Sequence, residues 1–181
     1  RRFRDREGRE TELVSRRFTS MASMHHAYLE WTLTPLNWSG PAEVVSAIDG
    51  RVTNDGVPRY RDLEGTHLHP VGTEFPEPEG MALKTRTRQS EVTVSVAART
   101  CVLAAGRSVE VPRTDFRTPD HVQQTLHLDL ERGVPVTVEK SVALFTSRDP
   151  ATGDTLVRAH RSVARSRSFE SALAHHRESW D

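Results

Sequence analysis

The chain has 181 residues, 35% hydrophobic and 28% charged, which suits one domain with its own core rather than two of ordinary size. Its 25 basic and 25 acidic residues balance, so no long-range positive field is available for a phosphate backbone, and nucleic acid is not an expected partner. No apolar run approaches the ~20 residues of a membrane helix, no signal peptide opens the chain, and the single cysteine leaves no internal disulfide; a cytoplasmic address is the default expectation.

The dominant periodicity along the chain is two, the signature of strands with one wet face. After an arginine-rich opening at Arg1–Arg4, a strand is expected over Glu12–Phe18. In the next, Ala27, Leu29, Trp31 and Leu33 alternate with Tyr28, Glu30, Thr32 and Thr34, which assigns Trp31 to the core. Trp38 stands at a strand end, where packing and ligand contact are both open readings. A further strand covers Ala42–Ile48, and Asp49-Gly50 and Asn54-Asp55-Gly56 supply turns. The stretch Pro70–Gly80, with three prolines and three glutamates, reads as a surface loop.

Strands follow over Met81–Arg88 and over the run Val92, Val94, Val96 and Ala98. Cys101 sits in an apolar run and reads as a small buried hydrophobe. Val111–Asp120 is expected to be a second loop. Val122, Gln124, Leu126, Leu128 and Leu130 share one parity, as do Val134, Val136, Val138, Val142 and Leu144, interrupted by Lys140. Glu131-Arg132-Gly133 between them reads as a hairpin loop. Only the last segment reads as helix: Ser168 as cap, Glu170 in the first turn, and Phe169, Leu173, His176 and Trp180 at helical spacing. Many short strands and one terminal helix predict an all-β fold, an antiparallel sandwich.

No constellation of reactive residues stands out. His25-His26, His67-x-His69 and His175-His176 lack a cysteine or carboxylate at ligand spacing, and adjacent histidines on a strand point to opposite faces; no metal is expected. There is no nucleophile elbow, phosphate loop or dinucleotide fingerprint, so no cofactor is expected either. Glu74, Glu77 and Glu79 are candidate carboxylates, but they read as solvated charge in the proline-rich loop rather than as a glycosidase pair.

One pattern covers the chain in order. Arg16-Arg17-Phe18-Thr19-Ser20-Met21-Ala22 is followed by His25, the strand Leu29–Leu33, Pro35-Leu36-Asn37, Gly40, Ser46-Ala47-Ile48-Asp49-Gly50, Asn54 and Gly56-Val57-Pro58-Arg59-Tyr60. Later come Thr85-Arg86-Thr87-Arg88-Gln89-Ser90, the run Val138–Asp149, and Phe169–Trp180. Together these resemble the N-terminal domain of glycoside hydrolase family 65, which includes maltose, trehalose and kojibiose phosphorylases.

The resemblance implies an antiparallel super-sandwich similar to galactose mutarotase, packed against an (α/α)6 catalytic barrel. Residues 1–167 would form the sandwich, incomplete at its N-terminal side because the family's opening Asn-Gly and Gly-x-Arg-Gly motifs find no match. Residues 168–181 would begin a linker helix to the barrel. In the family the barrel carries the general-acid glutamate and the phosphate-binding residues, so no catalytic, cofactor-binding or metal residue is carried over. The implied parent is an inverting disaccharide phosphorylase, with inorganic phosphate and an α-glucosidic disaccharide as its substrates, or else a related glycoside hydrolase of the same family. The isolated chain is expected to be inactive and, with a strand edge uncovered, prone to self-association. The alternative is a stand-alone carbohydrate-binding or interaction module of the same sandwich fold.

Overall fold

The computed structural model describes residues 1–53, 65–150 and 153–180; the expected turn at Asn54-Asp55-Gly56 and the run Gly56–Tyr60 lie outside them. Eleven strands and two helices follow one another: β1 (Arg2–Arg4), β2 (Glu10–Thr19), β3 (His26–Pro35), β4 (Gly40–Asp49), β5 (Leu68–Glu74), β6 (Gly80–Thr87), β7 (Thr93–Ala104), β8 (Arg107–Val109), β9 (Arg113–Thr118), β10 (His121–Leu130), β11 (Val136–Thr146), α1 (Thr155–Ala164) and α2 (Phe169–Glu178). An eight-stranded sheet runs β1-β2-β3-β11-β7-β6-β5, with β8 paired to β7. A three-stranded sheet, β4-β10-β9, faces it, and the strand pairings are antiparallel. The all-β sandwich expected from the alternation is the fold observed.

The core between the sheets is built from the parity the sequence displays. Val122, Leu126, Leu128 and Leu130 of β10 meet Val44 of β4, Leu83 of β6, Val102 of β7 and Val138 of β11. Trp31 and Leu33 pack on this core from β3, but Trp31 is only half-buried, because the smaller sheet does not reach over the whole of β3. Tyr28 and Glu30, of the opposite parity, are the more deeply buried residues of that strand, since the helices cover the outer face of the large sheet. At the end of β4, Gly50 donates its N–H to Asp120 O at 2.8 Å. A Cβ there would stand 3.0 Å from both that oxygen and Leu83 Cδ2, so the close approach of β4 to the β9–β10 turn requires glycine.

Three expectations are corrected. The segment Glu131–Pro135 is not a hairpin: β10 belongs to the small sheet and β11 to the large one, so the chain crosses the sandwich there. Leu130 and Val136 both enter the same core cluster, and Gly133, with φ of 76°, donates to Pro35 O at 2.7 Å. Alternation is identical in a hairpin and in such an arch, which is why it could not separate them. The two expected loops also contain edge strands: β5 runs into the first as far as Glu74, with a register shift at Pro70–Gly72, and β9 lies within 111–120. Edge strands gain ladder hydrogen bonds without needing an apolar face, and proline is tolerated at a bulge.

The third correction concerns the helices. α1 was not expected, although its signals are present. The Asp154 carboxylate accepts from the Leu156 and Val157 N–H groups at 2.7 and 3.3 Å, and Leu156, Ala159 and Val163 bury against Ala82, Ala97, Ala143 and Phe145. α2 lies where expected, but Ser168 makes no side-chain cap bond. The Glu139 carboxylate of β11 instead accepts the Phe169 N–H at 3.1 Å, tying the helix to the sheet.

Candidate functional site

Two places gather polar side chains. The first is a groove of about 730 Å³ at one end of the sandwich, between the segment before β6, strand β7 and the start of β9. Glu79 precedes β6 and is half-buried, which corrects the solvated reading for this residue; Glu74 and Glu77 are exposed as expected. The Glu79 Oε2 accepts from Arg99 Nε at 3.0 Å and from Cys101 Sγ at 3.3 Å, while Oε1 lies 3.6 Å from Arg113 Nη2. Arg113 also donates to Thr100 O at 2.8 Å.

Gln124 points into the same network from β10 and is fully buried. Its amide nitrogen donates to Pro78 O at 2.9 Å and to Asp115 Oδ1 at 3.0 Å. A buried amide without partners would cost ~1–3 kcal/mol, so these bonds fix the loop before β6 to the three-stranded sheet. Burial pushes the Cys101 thiol up to about 12, with the nearby Glu79 carboxylate opposing ionisation and Arg99 favouring it. It is therefore a protonated, inert thiol, in line with its reading as a small hydrophobe. Carboxylates outnumber arginines in the lining, with Glu77, Glu79, Glu110 and Asp115 against Arg99 and Arg113, and no aromatic side chain lines the groove as a platform for a sugar ring.

The second place is the seam between the helices and the outer face of the large sheet. Arg16 of β2 bonds Glu30 Oε1 at 2.7–2.8 Å, pairs with Glu170 of α2 and lies over the Phe169 ring, 4.7 Å from its centroid. Phe18 stacks on Tyr28 at 5.2 Å and meets Phe169 edge-on at 5.3 Å. Burial, with Glu30 and Glu170 nearby, raises the Glu139 carboxyl above the usual range, and the bond from the Phe169 N–H partly offsets this. This raised carboxyl lies under a helix start, so its environment serves the attachment of α2 rather than an open substrate site.

The sequence-flagged residues are dispersed. His25 stacks on Phe145 at 3.9 Å and contacts Leu144 O at 2.8 Å; His26 bridges Tyr28 and Ser162; His176 Nδ1 accepts the Met21 N–H at 3.1 Å. His67 and His69 are exposed near β5, and no cluster of three metal-ligating side chains occurs among the described residues. Trp38 resolves toward packing: its Nε1 donates to Glu10 O and Thr11 Oγ1 at 3.1 and 3.0 Å, and Arg9 sits over its ring at 5.3 Å. Trp180 is 67% exposed at the end of α2. No helix among the described residues is long and apolar enough to cross a membrane.

Comparison with known proteins gives the frame for this geometry. The model of the glycosyl hydrolase family 65 N-terminal domain matches residues 1–181. The chain is 32% identical over 179 residues to an uncharacterized glycosyl hydrolase of Mycobacterium tuberculosis, covering 99% of this chain and 13% of that protein. It is 25% identical to kojibiose phosphorylase of Halothermothrix orenii, covering 96% of this chain and 22% of the relative. A solved structure assigned as a kojibiose phosphorylase from human microbiome superposes with a TM-score of 0.72 at 12% identity, covering 94% of this chain and 21% of that one; this likeness speaks for the fold. The chain thus spans between about an eighth and a fifth of these proteins' lengths, and what it corresponds to in them is a part of a larger polypeptide. The chain belongs to glycosyl hydrolase family 65, as its N-terminal β-sandwich domain.

Proposed function

We propose that this chain is the non-catalytic sandwich of an inverting disaccharide phosphorylase. Residues 1–167 would be the structural domain and 168–181 the start of the connection to an (α/α)6 catalytic barrel in the same polypeptide. The observation that carries this reading is the family match along the whole chain, at roughly a fifth of the length of the kojibiose phosphorylase relative. In the parent, an oxygen of inorganic phosphate attacks the anomeric carbon of an α-glucosidic disaccharide. The bond from that carbon to the leaving sugar breaks, and a carboxylic acid protonates the departing oxygen. Phosphate is a substrate here, no cofactor is required, and both sugar phosphates and their precursors suit a cytoplasmic enzyme.

The local chemistry favours a supporting role. Positioning of reactants supplies ~7–11 kcal/mol of such a barrier, and it needs an acid and a phosphate held on opposite sides of one sugar. Glu79 is engaged by Arg99, and Glu139 by the start of α2. The seam around Arg16, Phe18 and Phe169 makes α2 a firm attachment, and the loop before β6 can form one wall beside the barrel. Among the described residues β4 pairs on one side alone, with β10, and this further supports self-association of the isolated domain at high concentration.

The test is release of glucose 1-phosphate from maltose, trehalose or kojibiose with added phosphate. The 181-residue chain is expected to stay at background, and a polypeptide that also carries the barrel is expected to turn over in a phosphate-dependent way. Turnover by the short chain, abolished by Glu79→Gln or Glu139→Gln, would place the chemistry in the sandwich and overturn the proposal.

A further inference from the structure

The chain holds two lysines, Lys84 and Lys140, in opposite surroundings. Lys84 Nζ is met by the Asp154 carboxylate at 3.0 Å. Lys140 of β11 points between the sheets and borders a cavity of about 220 Å³, together with the apolar side chains of Leu29, Trp31, Val44 and Val138. Among the described residues no other charged side chain lines this cavity. The Lys140 Nζ donates to Ala47 O at 2.7 Å. An ammonium group has three hydrogens to donate, and among the described residues only this one meets an acceptor. A cation is poorly matched to such a place, whereas a neutral amine suits it.

We propose that Lys140 is a covalent capture site for short-chain aldehydes, which it takes up as an imine inside this cavity. The amine is a competent nucleophile: burial alone pushes it down to about 8 from 10.5, and among the described residues no charged group faces it from β3, β4 or β7. At pH 7 its neutral fraction is therefore roughly 300-fold that of an ordinary lysine. The walls beside the amine are apolar and leave room for a chain of a few carbons. Val45, 52% exposed, stands at the edge of the cavity and gives it an opening along β4.

A hydroxyl pair completes the site. Ser46 Oγ and Thr100 Oγ1 lie 2.8 Å apart in the same lining, and Thr100 is the cross-strand neighbour of Lys140 on β7. One hydroxyl hydrogen closes the pair, and the other is left to donate to an oxygen in the cavity. The step needs no oxidant or reductant. The lone pair of the neutral amine bonds to the aldehyde carbon, the π pair of the carbonyl moves to oxygen, and a proton passes from nitrogen to that oxygen. The carbinolamine then loses its hydroxyl, with the second hydrogen of the nitrogen, as water, and a C=N bond remains. Apolar walls favour the departure of that water and slow its return.

The site is independent of the proposed phosphorylase reading. The test incubates the 181-residue chain at pH 7 with millimolar propanal and cyanoborohydride, which reduces an imine to a stable secondary amine. Peptide mass spectrometry then follows alkylation at Lys140, with Lys84 as the internal comparison. Lys140 is expected to react several-fold faster than Lys84 in the folded chain, and at the same rate once the chain is unfolded in guanidinium chloride. Ser46→Ala with Thr100→Val is expected to slow Lys140 several-fold, with Lys84 and the circular dichroism unchanged. The comparison of folded with unfolded wild type needs no variant, so a variant that fails to fold leaves the test intact. Lys140 reacting no faster than Lys84 in the folded chain, or a preference that persists in guanidinium chloride, overturns the site. So does a folded double variant that is alkylated at the wild-type rate.

Discussion

Lys140 offers a sharp test of the inter-sheet packing. It sits in β11 with Leu29 of β3 and Thr100 of β7 as cross-strand neighbours, and it points between the sheets among Trp31, Val44, Ser46 and Val138. Its Nζ donates to Ala47 O at 2.7 Å, and burial without a counter-charge pushes the amine down to about 8 from 10.5. The proton is therefore held more weakly in the folded state than in the unfolded one. Stability is penalised in full below pH 8 and recovers as pH rises through the window from about 8 to 10.5. At ~1.36 kcal/mol per pKa unit the penalty is on the order of 3 kcal/mol. Lys140→Met removes it and gives up one hydrogen bond of about 1 kcal/mol, for a net gain of about 2 kcal/mol at pH 7. In a chain of this size that corresponds to a Tm increase of roughly 4–8 °C.

The assay is urea unfolding followed by tryptophan fluorescence at pH 7, 8, 9 and 10, on wild type and variant. Cys101 has the opposite sign: its folded pKa is raised from 9.0 to about 12, so it removes stability as pH rises above 9. That contribution is common to both proteins, so the readout is their difference, which is expected to shrink as pH rises from 8 to 10. A difference independent of pH, or a variant less stable than wild type at pH 7, would refute the buried uncompensated amine.

Trp31→Ala is expected to cost about 3 kcal/mol, the lower end for a large aromatic because the ring is only partly covered, whereas Trp180→Ala should change stability by less than about 0.5 kcal/mol; equal shifts in the unfolding midpoint would contradict the assignment of the two environments. The β4 edge should also respond to Lys140. The bond from Gly50 N–H to Asp120 O turns the even-numbered backbone groups of β4 toward β10 and the odd ones outward. Pro41 offers no outward N–H, and Lys140 occupies the outward carbonyl of Ala47, which are two devices that blunt an edge. Light scattering is expected to show concentration-dependent association of the wild type and stronger association of Lys140→Met; monomers of both over a wide range would count against pairing through β4.

The strands whose one face enters the inter-sheet core were legible because burial on one side forces period two. β10 is the clearest case, with Val122, Gln124, Leu126, Leu128 and Leu130 all buried. What the pattern could not carry was pairing. The parity of β10 and β11 is the same whether Glu131–Pro135 joins neighbours in one sheet or bridges two, and the choice is made by Leu130 and Val136 meeting across the core. β5 and β9 escaped for a different reason, since they are held by ladder bonds at sheet edges and need no apolar face. α1 is hidden because its buried apolar stripe is short, Leu156, Ala159 and Val163 spaced among arginines, although Asp154 at its start is a readable cap.

The structure gives several of the polar residues physical occupations that the sequence pattern does not display. Glu139 holds the start of α2, Glu30 and Glu170 hold Arg16, Glu79 holds Arg99, and the fully buried amide of Gln124 joins the loop before β6 to β9. Each of these groups would lose its partner if it were recruited to a reaction, and an unpaired buried charge costs far more than the pair contributes. The raised carboxyl of Glu139 illustrates the point, because its environment has the burial of a general acid while its oxygen is occupied by a helix N–H. A fold that uses its carboxylates this way can be stiff.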